Sequence, residues 1–68
     1  MVDTVKLSKK IEQSGLTITA LAAKSGMSRE TFYNRMAGKS DFKASEITAL
    51  TVVLQLSRAE RDAIFFDN

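Results

Sequence analysis

Residues Thr17–Gly38, TITALAAKSGMSRETFYNRMAG, decide how the chain folds. Two short helical segments flank a glycine. In the first, Leu21 and Ala22 fall on one face; Gly26 follows where the chain needs a residue tolerant of positive φ, and Met27 supplies an apolar plug directly after it. Ser28 is placed to cap the second segment, because its hydroxyl can accept from backbone N–H groups that a first helical turn leaves without partners. That second helix buries Phe32 and Met36 and turns Arg29, Glu30, Tyr33 and Asn34 outward.

A glycine turn alone would fit any amphipathic helical hairpin. The joint spacing of Leu21, Ala22, Gly26, Met27, Ser28 and Phe32 is more demanding and points to a helix-turn-helix. Ala22 matters for being small, since the two helices of that motif approach closely at a steep angle and a bulky side chain would force them apart. The second helix of such a motif enters the major groove of DNA, so Arg29, Glu30, Tyr33 and Asn34 are its candidate reading residues.

The rest of the chain supports these two helices. A first helix is expected from Asp3 or Thr4 to Ser14, with Leu7 and Ile11 inward, Val5 nearby, and Lys6, Lys9, Lys10 and Gln13 facing elsewhere. Lys9 and Lys10 read as a solvated face, with phosphate contact the minority reading. Gly15 ends this helix and Leu16 adds the apolar contact that accompanies such an end. Thr17 caps the second helix, which runs to about Ser25 with Thr19 and Lys24 outside. The third, Arg29 to about Met36, closes at Gly38. The loop Lys39 to Lys43 then presents Lys39, Ser40 and Lys43 beside the reading helix as a phosphate clamp, with Phe42 turned inward as an anchor.

A fourth helix is expected over Ala44 to Leu54, with Ile47, Leu50, Val53 and Leu54 at helical spacing and Glu46 in its first turn. Ser57-Arg58-Ala59-Glu60 is a capping-box pattern that opens a fifth helix carrying Ile64, Phe65 and Phe66. The Phe65–Phe66 pair either finishes the core or leaves at least one ring in a dimer seam. Five helices account for an all-α chain. No repeat and no Pro- or Gly-rich linker divides residues 1–68, so one domain is expected.

Composition narrows the chemistry. The 68 residues include no cysteine and no histidine, which removes disulfides, thiolate nucleophiles, the commonest metal ligands and the commonest acid–base group. No metal, cofactor or small-molecule substrate is expected, and no enzymatic turnover. Asp41 and Glu46 are a carboxylate pair that could meet in space, and a pair of that kind on a domain without a cleft reads as surface. Without an apolar run of about 20 residues or a signal-peptide core, a cytoplasmic protein with no membrane contact is expected. The net charge of +2 is unevenly spread. Residues 1–43 carry eight Lys or Arg against four acids, a net of +4; residues 44–68 carry two against four, a net of −2. A basic half that contains the helix-turn-helix suits a nucleic-acid binder with one working face.

The run LAAKSGMSRETFYNRMAGKSDF resembles the Cro/C1-type (XRE-like) helix-turn-helix regulators, and GKSDF, a helix opening near SEI and the near-terminal AIFF are similar to short regulators of Gram-positive phages and prophages. The resemblance covers nearly the whole chain. It implies a compact five-helix, lambda-repressor-like DNA-binding domain, acting in the nucleoid as a homodimer on operator half-sites. By position, it assigns base reading to Arg29, Glu30, Tyr33 and Asn34. Backbone contacts fall near Thr17, Thr19, Ser28 and Lys39. Three positions depart from the family pattern. Ile18 stands where a polar residue commonly meets a phosphate, which leaves that contact to Thr17 or Thr19; Ser25 and Arg35 stand where many members are apolar.

Side chains with paired hydrogen-bonding groups read a major groove best: Arg29 fits guanine O6 and N7, and Asn34 fits adenine N6 and N7. Glu30 is repelled by phosphate and suits cytosine readout or orientation of Arg29. Tyr33, one turn after Arg29, has three options: stacking on the guanidinium, touching a thymine methyl, or donating to a phosphate. The expected function is a sequence-specific regulator of transcription bound to a double-stranded DNA operator. The alternative is the same fold used as a protein-binding module or antirepressor.

Overall fold

Each helix starts where a side chain can satisfy the backbone groups that a first turn leaves open. The computed structural model describes residues 2–66, and its helices are α1 (Thr4–Ser14), α2 (Ile18–Lys24), α3 (Arg29–Met36), α4 (Ala44–Val53) and α5 (Arg58–Phe65). Asp3, Thr17, Ser28 and Ser57 precede α1, α2, α3 and α5, and their side-chain oxygens accept from the N–H groups of Lys6, Ala20, Thr31 and Glu60. At α5 the box is reciprocal, with Glu60 accepting the Ser57 N–H at 2.8 Å. The lysine that precedes α4 has no acceptor to offer. There Glu46 alone reaches back, its Oε1 accepting the Lys43 N–H at 2.9 Å.

The five expected helices are all present, and no strand occurs among the described residues. The second and fourth end one residue earlier than expected, at Lys24 and Val53, for a shared reason. Helices α2, α3 and α4 close through the same pair of backbone bonds, in which the second residue past the cap donates five residues back. Met27 donates to Ala22, Lys39 to Asn34 and Leu56 to Thr51, at 2.9, 3.0 and 2.9 Å. The closure requires a left-handed residue in the middle. Gly26 fills that place in the helix-turn-helix with φ of 76°; at the end of α4 it is Gln55, with φ of 53°. No glycine marks that turn, which is why the sequence gives no sharp stop there.

Packing then follows from the apolar faces. Leu7 and Ile11 of α1, Leu21 and Ala22 of α2, Met27, Phe32 of α3, Phe42, Leu50, Leu54 and Leu56, and Ile64 and Phe65 of α5 form one buried core. Met36, Ile47 and Val53 are half-buried against it. Leu56, in the short α4–α5 connection, is a core residue that helical periodicity does not reach. α2 packs against both α3 and α4, while α1 packs against α5. The α1–α5 pairing is reinforced by the Asp3 N–H donating to the Ile64 carbonyl at 2.7 Å and by an ion pair between Lys10 and Glu60. Lys10 is therefore a structural partner of α5, which corrects its reading as simply solvated.

The two terminal phenylalanines separate. Phe65 sits in the core with its ring edge-on to Phe42, centroids 5.5 Å apart, whereas Phe66 is 57% exposed. The expectation that both finish the core is thus corrected for Phe66, and a seam role is corrected for Phe65, whose ring is already buried. Ile64 and Phe65 take the inward side of the last turn of α5, and Phe66, about 100° further round at its cap, falls outside it. No helix among the described residues is long and apolar enough to cross a membrane.

Candidate nucleic-acid interface

Helix α3 contains eight residues and fully buries only Phe32. Its remaining surface is left to solvent or half-covered, unlike a helix whose main work is core packing. Ser28 fixes its start twice over, accepting the Thr31 N–H at 3.0 Å and donating its own O–H to Thr31 Oγ1 at 2.9 Å. Glu30 lies in the first turn, where the helix dipole favours a negative charge. Arg29 shares that turn, where the dipole disfavours it, so its place is not explained by helix stability.

The structure brings three of the four candidate reading residues to the exposed side of α3: Arg29, Glu30 and Tyr33 are exposed, and Asn34 is half-buried. The Arg29 guanidinium carbon lies 5.6 Å from the centroid of the Tyr33 ring. That ring meets Phe32 edge-on at 6.3 Å, and Phe32 meets Phe42 edge-on at 6.1 Å. Phe42 in turn meets Phe65 of α5. A continuous series of aromatic contacts therefore runs from the far helix to the guanidinium. These edge-to-face arrangements match the ring quadrupole and hold the rings at defined angles.

Phe42 is also what pins the loop after α3. It is buried, while Lys39, Asp41 and Lys43 around it are exposed. The Lys39 backbone is tied to the Asn34 carbonyl, which places the lysine side chain just past the end of the helix. Of the residues expected at a DNA backbone, Thr17, Thr19 and Ser28 are exposed at the starts of α2 and α3. Thr17 and Ser28 already use a hydroxyl oxygen lone pair for capping. The Thr17 hydroxyl keeps its proton for a further acceptor, whereas the Ser28 proton goes to Thr31.

Ser40 is engaged differently. It is half-buried, and its Oγ accepts from Nη1 of Arg35. Arg35 also grips Glu46 with a two-pronged contact, Nε to Oε1 at 3.0 Å and Nη2 to Oε2 at 3.2 Å. One guanidinium thus joins the end of α3, the following loop and the first turn of α4. The contact raises the Arg35 pKa, and the Arg35 hydrogen bonds hold the Glu46 carboxyl below its usual range, helped by the Lys43 N–H and opposed by burial. Sequence reasoning missed this fork. The available signal was Arg35 itself, a charge where the resemblance to Cro/C1-type regulators implies an apolar residue. Glu46 gave a second one by standing three residues after Lys43, where an acid reaches back to a helix start.

With Arg35 neutralised, the working charge lies elsewhere. Among the described residues Arg29, Lys39 and Lys43 have no ion-pair partner; Arg29 opens α3, and Lys39 and Lys43 lie in the loop that follows it. The arrangement offers guanidinium, carboxamide, carboxylate and phenol groups on one short rigid helix, bordered by free cations. Those are the groups that read base edges and hold phosphates.

A comparison with known families finds that a model described as a helix-turn-helix domain matches residues 12–64. No curated protein and no solved structure matches the chain.

Proposed function

We propose that this chain, which belongs to the helix-turn-helix domain family, is a sequence-specific transcriptional regulator that lays α3 in the major groove of double-stranded DNA. The reading rests on one observation above the others: α3 buries a single side chain and leaves hydrogen-bonding groups exposed on a core-anchored helix. Arg29 is the candidate partner of a guanine and Asn34 of an adenine. Glu30 contributes selectivity by excluding phosphate-only binding modes. Lys39 and Lys43, together with Thr17, Thr19 and Ser28, lie along the backbone on either side. Ser40 serves this set through its bond from Arg35.

The resemblance to Cro/C1-type regulators of phages and prophages extends the proposal to a repressor that occupies a two-part operator as a homodimer. Phe66, exposed at the end of α5, is the candidate seam residue. Residues 1–68 then act as one domain. Selection of bound sequences from a random DNA pool with the purified chain tests the whole reading. The expected outcome is a two-fold symmetric site with half-sites about one helical turn apart. An asymmetric single site would remove the dimer and keep the regulator. A pool with no enriched sequence would refute DNA reading and favour the fold as a protein-binding module.

A further inference from the structure

We infer that Tyr33 determines specificity indirectly, as the platform that holds the Arg29 guanidinium in reading position, and that it does not itself touch a base or a phosphate. The inference rests on the reading of α3 as the base-reading helix and assigns a role within it. Three observations carry it. The Arg29 guanidinium lies over the ring face at 5.6 Å, within the range of a cation–π contact. Tyr33 is 46% exposed, so its ring has one side against the protein and one available to a partner. Its inner side is not loose. It meets Phe32 edge-on at 6.3 Å, and Phe32 continues through Phe42 to Phe65 at 6.1 and 5.5 Å, so the ring is connected to the interior.

An exposed arginine on the first turn of a helix has many rotamers, and freezing them on a guanine opposes binding. A ring that already holds the guanidinium plane removes part of that loss before DNA arrives. The same contact offsets the unfavourable position of a cation at the positive end of the α3 dipole. A hydroxyl contact to phosphate would add affinity for every sequence alike. A platform adds it only where Arg29 finds its base.

The test uses the full chain, its selected DNA site, and that site with the base changed at the position that Arg29→Ala relaxes. Tyr33→Phe keeps the ring and is expected to leave affinity and base preference within about twofold. Tyr33→Leu removes the ring face and is expected to lower the preference at that one position by about fivefold, the size of an exposed cation–π contact. In an Arg29→Ala background Tyr33→Leu is expected to lower that preference no further. A DNA-free measurement is also available, because Tyr33 is the only tyrosine of the chain. Its ring current is expected to shift the Arg29 Hδ resonances upfield, and Tyr33→Leu to return them to ordinary positions. Equal weakening on all sequences by Tyr33→Phe would overturn the inference in favour of a phosphate contact. A Tyr33→Leu loss that persists without Arg29 would overturn it in favour of direct base contact. Wild-type protein that prefers no sequence would overturn the regulator reading together with this inference, whereas a wild-type preference untouched by Tyr33→Leu would overturn the inference alone.

Discussion

Replacing Glu46 with alanine takes the acceptors from three donors at once: Nε and Nη2 of Arg35, and the backbone N–H of Lys43. The size of the loss depends on which regime the pair occupies. An exposed ion pair contributes about 0–1 kcal/mol, because water competes for both partners. Removing one partner of a buried pair costs about 3–5 kcal/mol, because the other charge is left without compensation. The side chains of Arg35 and Glu46 are 13% and 9% exposed, which places them near the buried limit. Arg35 retains Ser40 and a strip of solvent, so the lower end, about 3 kcal/mol, is expected for Glu46→Ala. A chain of this length holds about 3–10 kcal/mol in total. The expected fall in melting temperature is about 12–24 °C, measured by far-UV circular dichroism at neutral pH. Added salt should leave the difference nearly unchanged, since a buried pair is poorly screened. The double variant Arg35→Met/Glu46→Leu should recover most of the loss, because it strands no charge. A Glu46→Ala melting temperature within about 3 °C of wild type, or a difference that vanishes in salt, would refute the burial reasoning.

Gln55→Gly should stabilise the protein by about 0.5–1 kcal/mol in urea denaturation, because it relieves a side chain held at positive φ in the α4–α5 turn. Ser25→Ala should also stabilise it, by about 1 kcal/mol, since the buried Ser25 hydroxyl has no hydrogen-bond partner among the described residues. Acid should unfold the protein in a defined window. The carboxyl of Glu60 is lowered from 4.5 to about 2, first by the hydrogen bond from Lys10 and then by the Ser57 N–H, and that of Glu46 is lowered as well. Both groups are easier to ionise folded than unfolded, so their stabilisation is complete above 4.5 and is lost as the pH falls toward 2, which melting curves across that range check. On DNA, Arg29→Ala should cost about 1–3 kcal/mol on the selected site and relax one base preference. Lys39→Ala should weaken all sequences alike and lower the salt slope by about one unit.

What could be read from the sequence divides by the range of the interaction. Caps are local, so Thr17, Ser28 and the Ser57–Glu60 box marked their helix starts correctly. Glycine turns are local too, and Gly26 and Gly38 lie where left-handed residues are needed. The end of α4 was blurred because Gln55 adopts that conformation without the residue type that announces it. Pairings between distant positions were out of reach. Lys10 with Glu60 and Arg35 with Glu46 depend on which helices pack together, and a periodic pattern says only which face is inward. The outward placement of Arg29, Glu30 and Tyr33 followed from Phe32 being the inward residue of α3, whereas the stack of Arg29 on Tyr33 needed side-chain geometry.

The candidate site and the stability of the fold are therefore carried by different residues of the same short segment. Leu21, Ala22, Met27 and Phe32 are buried and build the motif; Arg29 and Glu30 are exposed and form no ion pair among the described residues. Arg35 stands on the other side of this division. It lies on α3, yet its charge is used inward, fixing the loop that carries Lys39 and Lys43 to the first turn of α4. Substitutions at Arg29 or Glu30 fall on a surface where changes usually stay within about 0.5 kcal/mol, so under the proposed reading DNA preference can change there without loss of the fold. The same substitution at Arg35 would break the side-chain contacts that join α3 to Ser40 of the loop and to Glu46 of α4, so under the proposed reading its effect on DNA would arrive through structure.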